Sequence, residues 1–426
     1  MTVATASEAP RTLQRTLLIA LCFAAVFICY VDRVNISLAI GAMAQEFGWD
    51  KTTSGWVMSS FFIGYLLTQV PGGWLAGKFG GKWVLAGGVL LWSLFTALTP
   101  PAAFAGFSVL IAARIVMGMG EGVTFPAIYA LFSRWVPAAR RSRAVGLVFS
   151  AIPLGTVFTQ ISTPILVTAH GWPWAFYAFS TLGLLWWAFW HPLTASGPEL
   201  HPRVSEAELR EMRAEAGGTA APAAPPMGKL LSSTAVWAIV VGHFCNNWGG
   251  YVMLSWSPTY FHERLGVDLH DVGYYVMLPS LVSFVCLNLA GQLGDRMIAS
   301  GMTTQRVRKL MQGVGFGGSA VTLLTLTVVE SAPVAVVVMC LSSVLGGAAS
   351  AGFGSNHLDI APRHAGALMG LSNTAGTIPG VVGVVLSGWI VDVTGSWSMV
   401  FYVAAAVKVF GLVFFLAFAK GEKIFD

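Results

Sequence analysis

Four charged side chains stand in apolar sequence, where a charge is costly: Asp32 and Arg33 in the run YVDRVN, and Arg114 and Glu121 in RIVMGMGEG. On insertion scales a charge at mid-membrane costs roughly 2.5–3.5 kcal/mol, so such groups belong in a protein interior or a water-filled cavity. Residues 114 and 121 lie two helical turns apart, which puts both on one face about 10 Å from each other. A guanidinium forks two hydrogen bonds onto a carboxylate, so Arg33 and Arg114, with Tyr30 one turn away, are candidates for gripping an anion. Glu121 is the candidate proton carrier, because neutralising a buried carboxylate removes the cost of burying its charge; Asp32 is a second acid of the same kind. A plainer reading stands beside this one: two acids and two bases that pair with each other and order the bundle.

The second half of the chain carries weaker signals. His243, Asn247 and Tyr251 recur at four-residue intervals and Asn246 lies beside them, a polar edge that suits either a cavity wall or interhelical hydrogen bonding. His357, Asp359 and Arg363, and separately Asp295 and Arg296, sit at the ends of apolar runs and are expected to act as gating or structural contacts. Lys408 lies about 18 Å inside its run, too deep for easy snorkelling, and has no assigned role.

These residues need helices to hold them. With 55% hydrophobic and 10% charged residues over 426 positions, the chain has too little polar surface to be soluble, and the expectation is an all-α polytopic membrane protein. Apolar runs of about 20 residues predict spans near 17–40, 54–76, 83–104, 107–133, 143–168 and 173–192. A second set falls near 235–261, 271–294, 308–329, 333–354, 364–391 and 397–419. The organisation expected is a tail (1–16), a six-helix bundle (17–192), a charged then Ala/Pro-rich linker (193–234), a second bundle (235–419) and a tail (420–426).

Of the 24 Lys and Arg, only Lys51 and Arg264 fall in the loops opposite the termini and Arg33, Arg114 and Lys408 in spans; the rest lie on the side of the termini. The positive-inside rule then places both termini in the cytoplasm, in a multi-pass protein of the cell inner membrane. The net charge of +5 is accounted for by this bias and implies no nucleic-acid partner. Five cysteines lie in apolar runs without a CxxC pair, and neither a metal set, a cofactor motif nor a nucleophile–base pair is visible, so no enzyme is read.

The halves repeat landmarks. VPAARRSRAVG (136–146) matches IAPRHAGALMG (360–370), and GWPWAFY (171–177) matches GSWSMVFY (395–402), with Trp and Tyr five apart in both. Such internal symmetry is the mark of transporters built from repeats, with the pathway between pseudo-symmetric halves.

Across nearly the whole chain, YVDRVN, GEGVTFPAIYALFSRWVP, LSWSPTYFHERLG and SNHLDIAPRHAGALMGLSNTAGTIPG resemble the anion:cation symporter branch of the major facilitator superfamily. That branch includes bacterial sugar-acid symporters, plastid anion transporters, sialin and the vesicular glutamate transporters. The resemblance implies the major facilitator fold, and anion binding and proton coupling at Arg33, Arg114 and Glu121. Asp32 matches the Asp-Arg pair of the sugar-acid symporters. Asn246 stands where the vesicular members carry an arginine, and Gly77 stands where the loop between spans 2 and 3 usually has an acid.

The expected function is proton-coupled symport of an organic anion such as a sugar acid or other carboxylate, by alternating access, in a monomer within the lipid bilayer. A phosphate or inorganic-anion transporter, with sodium as the coupling ion, and a transporter-like ligand sensor are the alternatives.

Overall fold

A computed structural model describes residues 13–204, 206, 209–210, 227–362 and 364–425. Twelve long helical units follow one another. The first six are α1 (Leu13–Phe47), α2 (Lys51–Phe79), α3 (Gly81–Ala105), α4 (Phe107–Gly122, continuing as Thr124–Trp135), α5 (Ala138–Phe149, continuing as Ala151–His170) and α6 (Trp172–Leu193). The second six are α7 (Thr234–Thr259), α8 (Leu269–Ala299), α9 (304–326), α10 (Ala332–Ala349, continuing to Ile360), α11 (Ala365–Thr394) and α12 (Trp397–Phe418). Every predicted span falls on one of these units. By length and composition alone, eight are apolar enough to cross a membrane among the described residues; α2, α6, α7 and α9 complete the bundle beside them.

The pseudo-symmetry is visible in the packing. In the first six helices α1 packs on α5, α2 on α4, and α3 on α6; adding six to each number yields α7 on α11, α8 on α10, and α9 on α12, which also pack. The two bundles meet through α2 against α11 and α5 against α8, again a pair related by the same exchange.

Small residues set the closest approaches. A Cβ on Gly64 would lie 1.8 Å from the Ile115 carbonyl oxygen, and one on Gly118 would lie 2.0 Å from that of Phe61, so α2 and α4 touch backbone to backbone. Gly118→Val is therefore expected to force the two helices apart and cost about 3 kcal/mol. A thermal melt of the purified variant checks this, and an unshifted transition would show that the contact is slack.

The helices of the second bundle are less regular. Five-residue π segments interrupt α9 (Gly313–Gly317) and α10 (Ser350–Gly354). Gln312 of α9 ties the two irregular helices together: its Oε1 accepts a hydrogen bond from the Phe353 backbone N–H, inside the second π segment, at 3.1 Å.

Candidate functional site

The site begins one helical turn before Arg33. Cys29 and Arg33, four apart on α1, face Glu121 on α4, and the three side chains meet in the interior, where Arg33 is 7% and Glu121 0% exposed. Arg33 donates to the same Glu121 oxygen through Nε (3.1 Å) and an NH2 nitrogen (2.9 Å), and the Cys29 thiol donates to it at 3.1 Å. The other oxygen, Glu121 Oε1, is buried without a hydrogen-bond partner.

Aromatic faces surround the guanidinium. Its central carbon lies 4.7 Å from the Tyr30 ring centre, 4.8 Å from Tyr65 and 5.0 Å from Phe61, all within cation–π range. The NH1 edge is the less tightly held, with Tyr30 Oη at 3.5 Å.

Arg114 does not pair with Glu121 along its own helix. It is 1% exposed, donates to the Met117 sulfur at 3.0 Å, lies near Phe61, and leaves Nε without a partner. Asp32 is 1% exposed beside Trp92 and Thr96 on α3, yet neither of its oxygens reaches hydrogen-bond geometry with them. The four charges of the opening pattern thus assemble around α1 and α4 with one bonded pair, Arg33–Glu121, and two members with spare valence. Asn35 is used structurally: its Oδ1 accepts from Thr163 on α5 at 3.0 Å.

On the second bundle, the Tyr251 ring packs tilted against Phe62 of α2 with ring centres 4.6 Å apart, which brings α7 to the edge of the Arg33 cluster. Asn247 donates to the Gly376 carbonyl of α11 at 2.9 Å, and Asn246 turns instead toward Lys408 on α12. Ser372 on α11 sits between His243 (3.1 Å) and His357 (2.8 Å). His357 is thus tied to the core. Asp359 is held by a residue that spacing did not suggest: Arg308 on α9 grips both of its oxygens, at 2.7 and 3.1 Å, and Asn356 adds a third bond. Asp295 and Arg296 are exposed on the last turn of α8, and Arg363 lies outside the described residues.

A contact between the bundles also went unread. At the end opposite the termini, Asp392 of α11 accepts hydrogen bonds from the Lys51 and Thr52 backbone N–H groups at 3.0 and 2.6 Å, while Lys51 pairs with Glu263. The free N–H groups of a helix start attract an acid, and here the acid comes from the other bundle. Asp50 caps the same helix through Thr53, whose hydrogen bonds hold its carboxyl below the usual carboxylate range. The cap therefore contributes fully above the ordinary Asp pKa, and its contribution is lost as pH falls through the lowered one.

Asp392→Ala is expected to loosen this end by about 1–2 kcal/mol, roughly a 5- to 30-fold shift in population. A cysteine placed at Val381, near Phe62, should then label severalfold faster from that side. Equal labelling would mean that Asp392 is no latch.

The profile of the Major Facilitator Superfamily matches residues 22–384 and 297–423. The chain belongs to that superfamily. It is 42% identical to the chloroplastic ascorbate transporter of Arabidopsis thaliana over 97% of this chain and 76% of that protein. It is 40% identical to the chloroplastic sodium-dependent phosphate transport protein 1 of the same plant over 97% and 80%. The fold is that of a bacterial homologue of the human lysosomal transporter Spinster, solved inward-facing and occupied, with a TM-score of 0.77 at 14% identity over 96% of this chain and 97% of that one. This chain is accordingly a multi-pass membrane transporter within the superfamily's anion-transporting branch, with the twelve-helix fold expected from its sequence.

Proposed function

We propose that this transporter carries an organic anion, a carboxylate such as a sugar acid, together with protons, by alternating access between its two bundles. The observation that carries the reading is the buried Arg33–Glu121 pair with its aromatic surround. An entering carboxylate competes with Glu121 for the guanidinium, and protonating Glu121 removes the competitor; binding and proton uptake then favour each other. Arg114, Asp32 and Tyr30 complete the polar wall, Tyr251 and Asn247 supply the facing one, and Asn246 contributes from the Lys408 side, toward which it is turned. The domain limits of residues 17–192 and 235–419, a monomeric state and a cell-membrane location belong to the same reading, as do cytoplasmic termini, which the gathering of Lys and Arg at the end that bears them supports.

The test is uptake into proteoliposomes of gluconate, ascorbate and phosphate, each with and without an inward acid gradient. An organic anion that accumulates with the gradient and is released by a protonophore is the expected result. The relative named for sodium-dependent phosphate transport favours a second reading, phosphate with sodium. Phosphate uptake that follows a sodium gradient and ignores pH would replace the first reading with the second.

A further inference from the structure

Lys408 stands alone in the second bundle. It lies in the middle of α12, is 6% exposed, and its ammonium donates to Asn246 Oδ1 at 3.1 Å and approaches the Asn246 carbonyl at 3.4 Å. The Phe316 ring centre is 4.4 Å away, and Gly249 on α7 leaves the room that its side chain fills. Among the described residues no carboxylate lies within ion-pairing distance of it. The Arg33 cluster of the first bundle, by contrast, sets two buried acids, Asp32 and Glu121, against two buried arginines. A buried ammonium whose neighbours are amide oxygens, a thiol (Cys245) and a ring, with no carboxylate, is an unbalanced charge, and such a group is costly to keep without a counter-charge.

The ammonium also faces space. A cavity of about 380 Å³ opens beside it, between α5 of the first bundle and α7, α8, α9, α10 and α12 of the second. Its lining includes no Asp or Glu and is rich in hydroxyls, with Ser283, Ser319 and Ser343 on three different helices. Gln160 of α5 closes it from the other bundle, and its amide oxygen is buried without a partner. A flip of that amide, whose two ends are alike in shape, turns a donor into the cavity. The cavity adjoins the Arg33 cluster without including it: neither Arg33 nor Glu121 lines it, while Gly250 does and the next residue, Tyr251, packs on Phe62.

We propose that Lys408, Asn246 and the serine-lined cavity form a second anion-binding subsite, in which the ammonium takes an anionic oxygen of the transported anion and the serine hydroxyls and Gln160 take its remaining polar groups. The proposal rests on the anion-transport reading and adds a second cationic arm, supplied by α12. A hydroxylated anion suits the lining better than an alkyl carboxylate, because the serines need partners and the walls offer donors without negative charge.

The experiment is thermal unfolding of purified protein in a zwitterionic buffer, titrated at constant ionic strength with gluconate, ascorbate, phosphate or bromide. Wild type is expected to be stabilised by at least one of them. Lys408→Met is expected to melt no lower than wild type without anion, since it removes an unbalanced buried charge, yet to lose at least tenfold in affinity for that anion. Lys408→Arg should retain most of the response, and Ser343→Ala should weaken gluconate more than bromide. If bromide alone stabilises the protein in a Lys408-dependent way, the subsite serves a separate inorganic ion and the assignment to the transported anion falls. It falls also if no anion stabilises wild type, if Lys408→Met keeps the wild-type response, or if that variant melts far below wild type in the absence of anion. Proton-driven uptake is scored separately, so failure of the coupling mechanism leaves a positive Lys408 result standing.

Discussion

Glu121→Gln is expected to abolish uptake driven by a pH gradient while leaving counterflow exchange of the same anion intact. The amide keeps the shape of the side chain and an oxygen for the Cys29 thiol and for Arg33, which the carboxylate now engages through one atom. What it cannot do is gain and lose a proton. With one proton coupled to each anion, a gradient of one pH unit is worth about 1.4 kcal/mol, or a tenfold change in the accumulation ratio. The variant should show no such dependence. Exchange needs only that the loaded carrier move, and the glutamine mimics the protonated state in which that movement occurs. Uptake that still responds tenfold to a pH unit in Glu121→Gln would remove Glu121 from the coupling and shift attention to Asp32, the other buried acid, whose two oxygens make no hydrogen bond.

The second large effect concerns Arg33, and stability separates it from binding. Arg33→Met removes the partner of a fully buried carboxylate, and stranding a charge in that way costs about 3–5 kcal/mol. The double variant Arg33→Met/Glu121→Met exchanges the pair for apolar side chains and should recover most of the loss, because a buried pair and a well-packed apolar replacement are often nearly equal in stability. Neither variant should bind a carboxylate. Arg33→Lys is expected to fold, since charge is retained, but to bind at least tenfold more weakly: an ammonium does not reproduce a fork that holds Glu121 on one edge while NH1 faces Tyr30. Thermal unfolding of the three variants, with anion titrations on each, provides the comparison. A double variant no more stable than Arg33→Met would show that the loss comes from packing against Tyr30, Phe61 and Tyr65 and not from an orphaned acid.

The charge-bearing residues of the site were visible in the chain because a charge inside an apolar run is conspicuous wherever it lies. The aromatic surround was less so. Tyr65 and Phe61 belong to the run FFIGYLLTQ, where nothing separates an aromatic that stacks on arginine from one that faces lipid. Cys29 read as packing, and the one available signal was its four-residue spacing from Arg33. Asp392 was hidden for a different reason: an acid at the end of a span looks like an ordinary loop residue until the start of α2 appears above it. Arg308, set among other bases at the start of α9, carried the same ambiguity, which its bidentate grip on Asp359 removes.

Sequence alone determined the membrane class, the twelve spans, the twofold repeat and the identity of the costly buried charges. Each depends on a sum over one segment, the hydropathy of about 20 consecutive residues or the price of one charge within them, and such sums need no knowledge of neighbours. Tertiary structure decided who meets whom. Arg114 and Glu121 share a helix face by spacing, yet Glu121 bonds Arg33, 88 positions away in the chain, and Arg114 turns to a methionine sulfur. Lys408 had no partner that spacing could name, and it found an amide and a cavity. Those pairings follow from how far each helix is rotated and how closely it approaches the next, which contacts as local as Gly64 on Ile115 and Gly118 on Phe61 set across segments far apart in the chain.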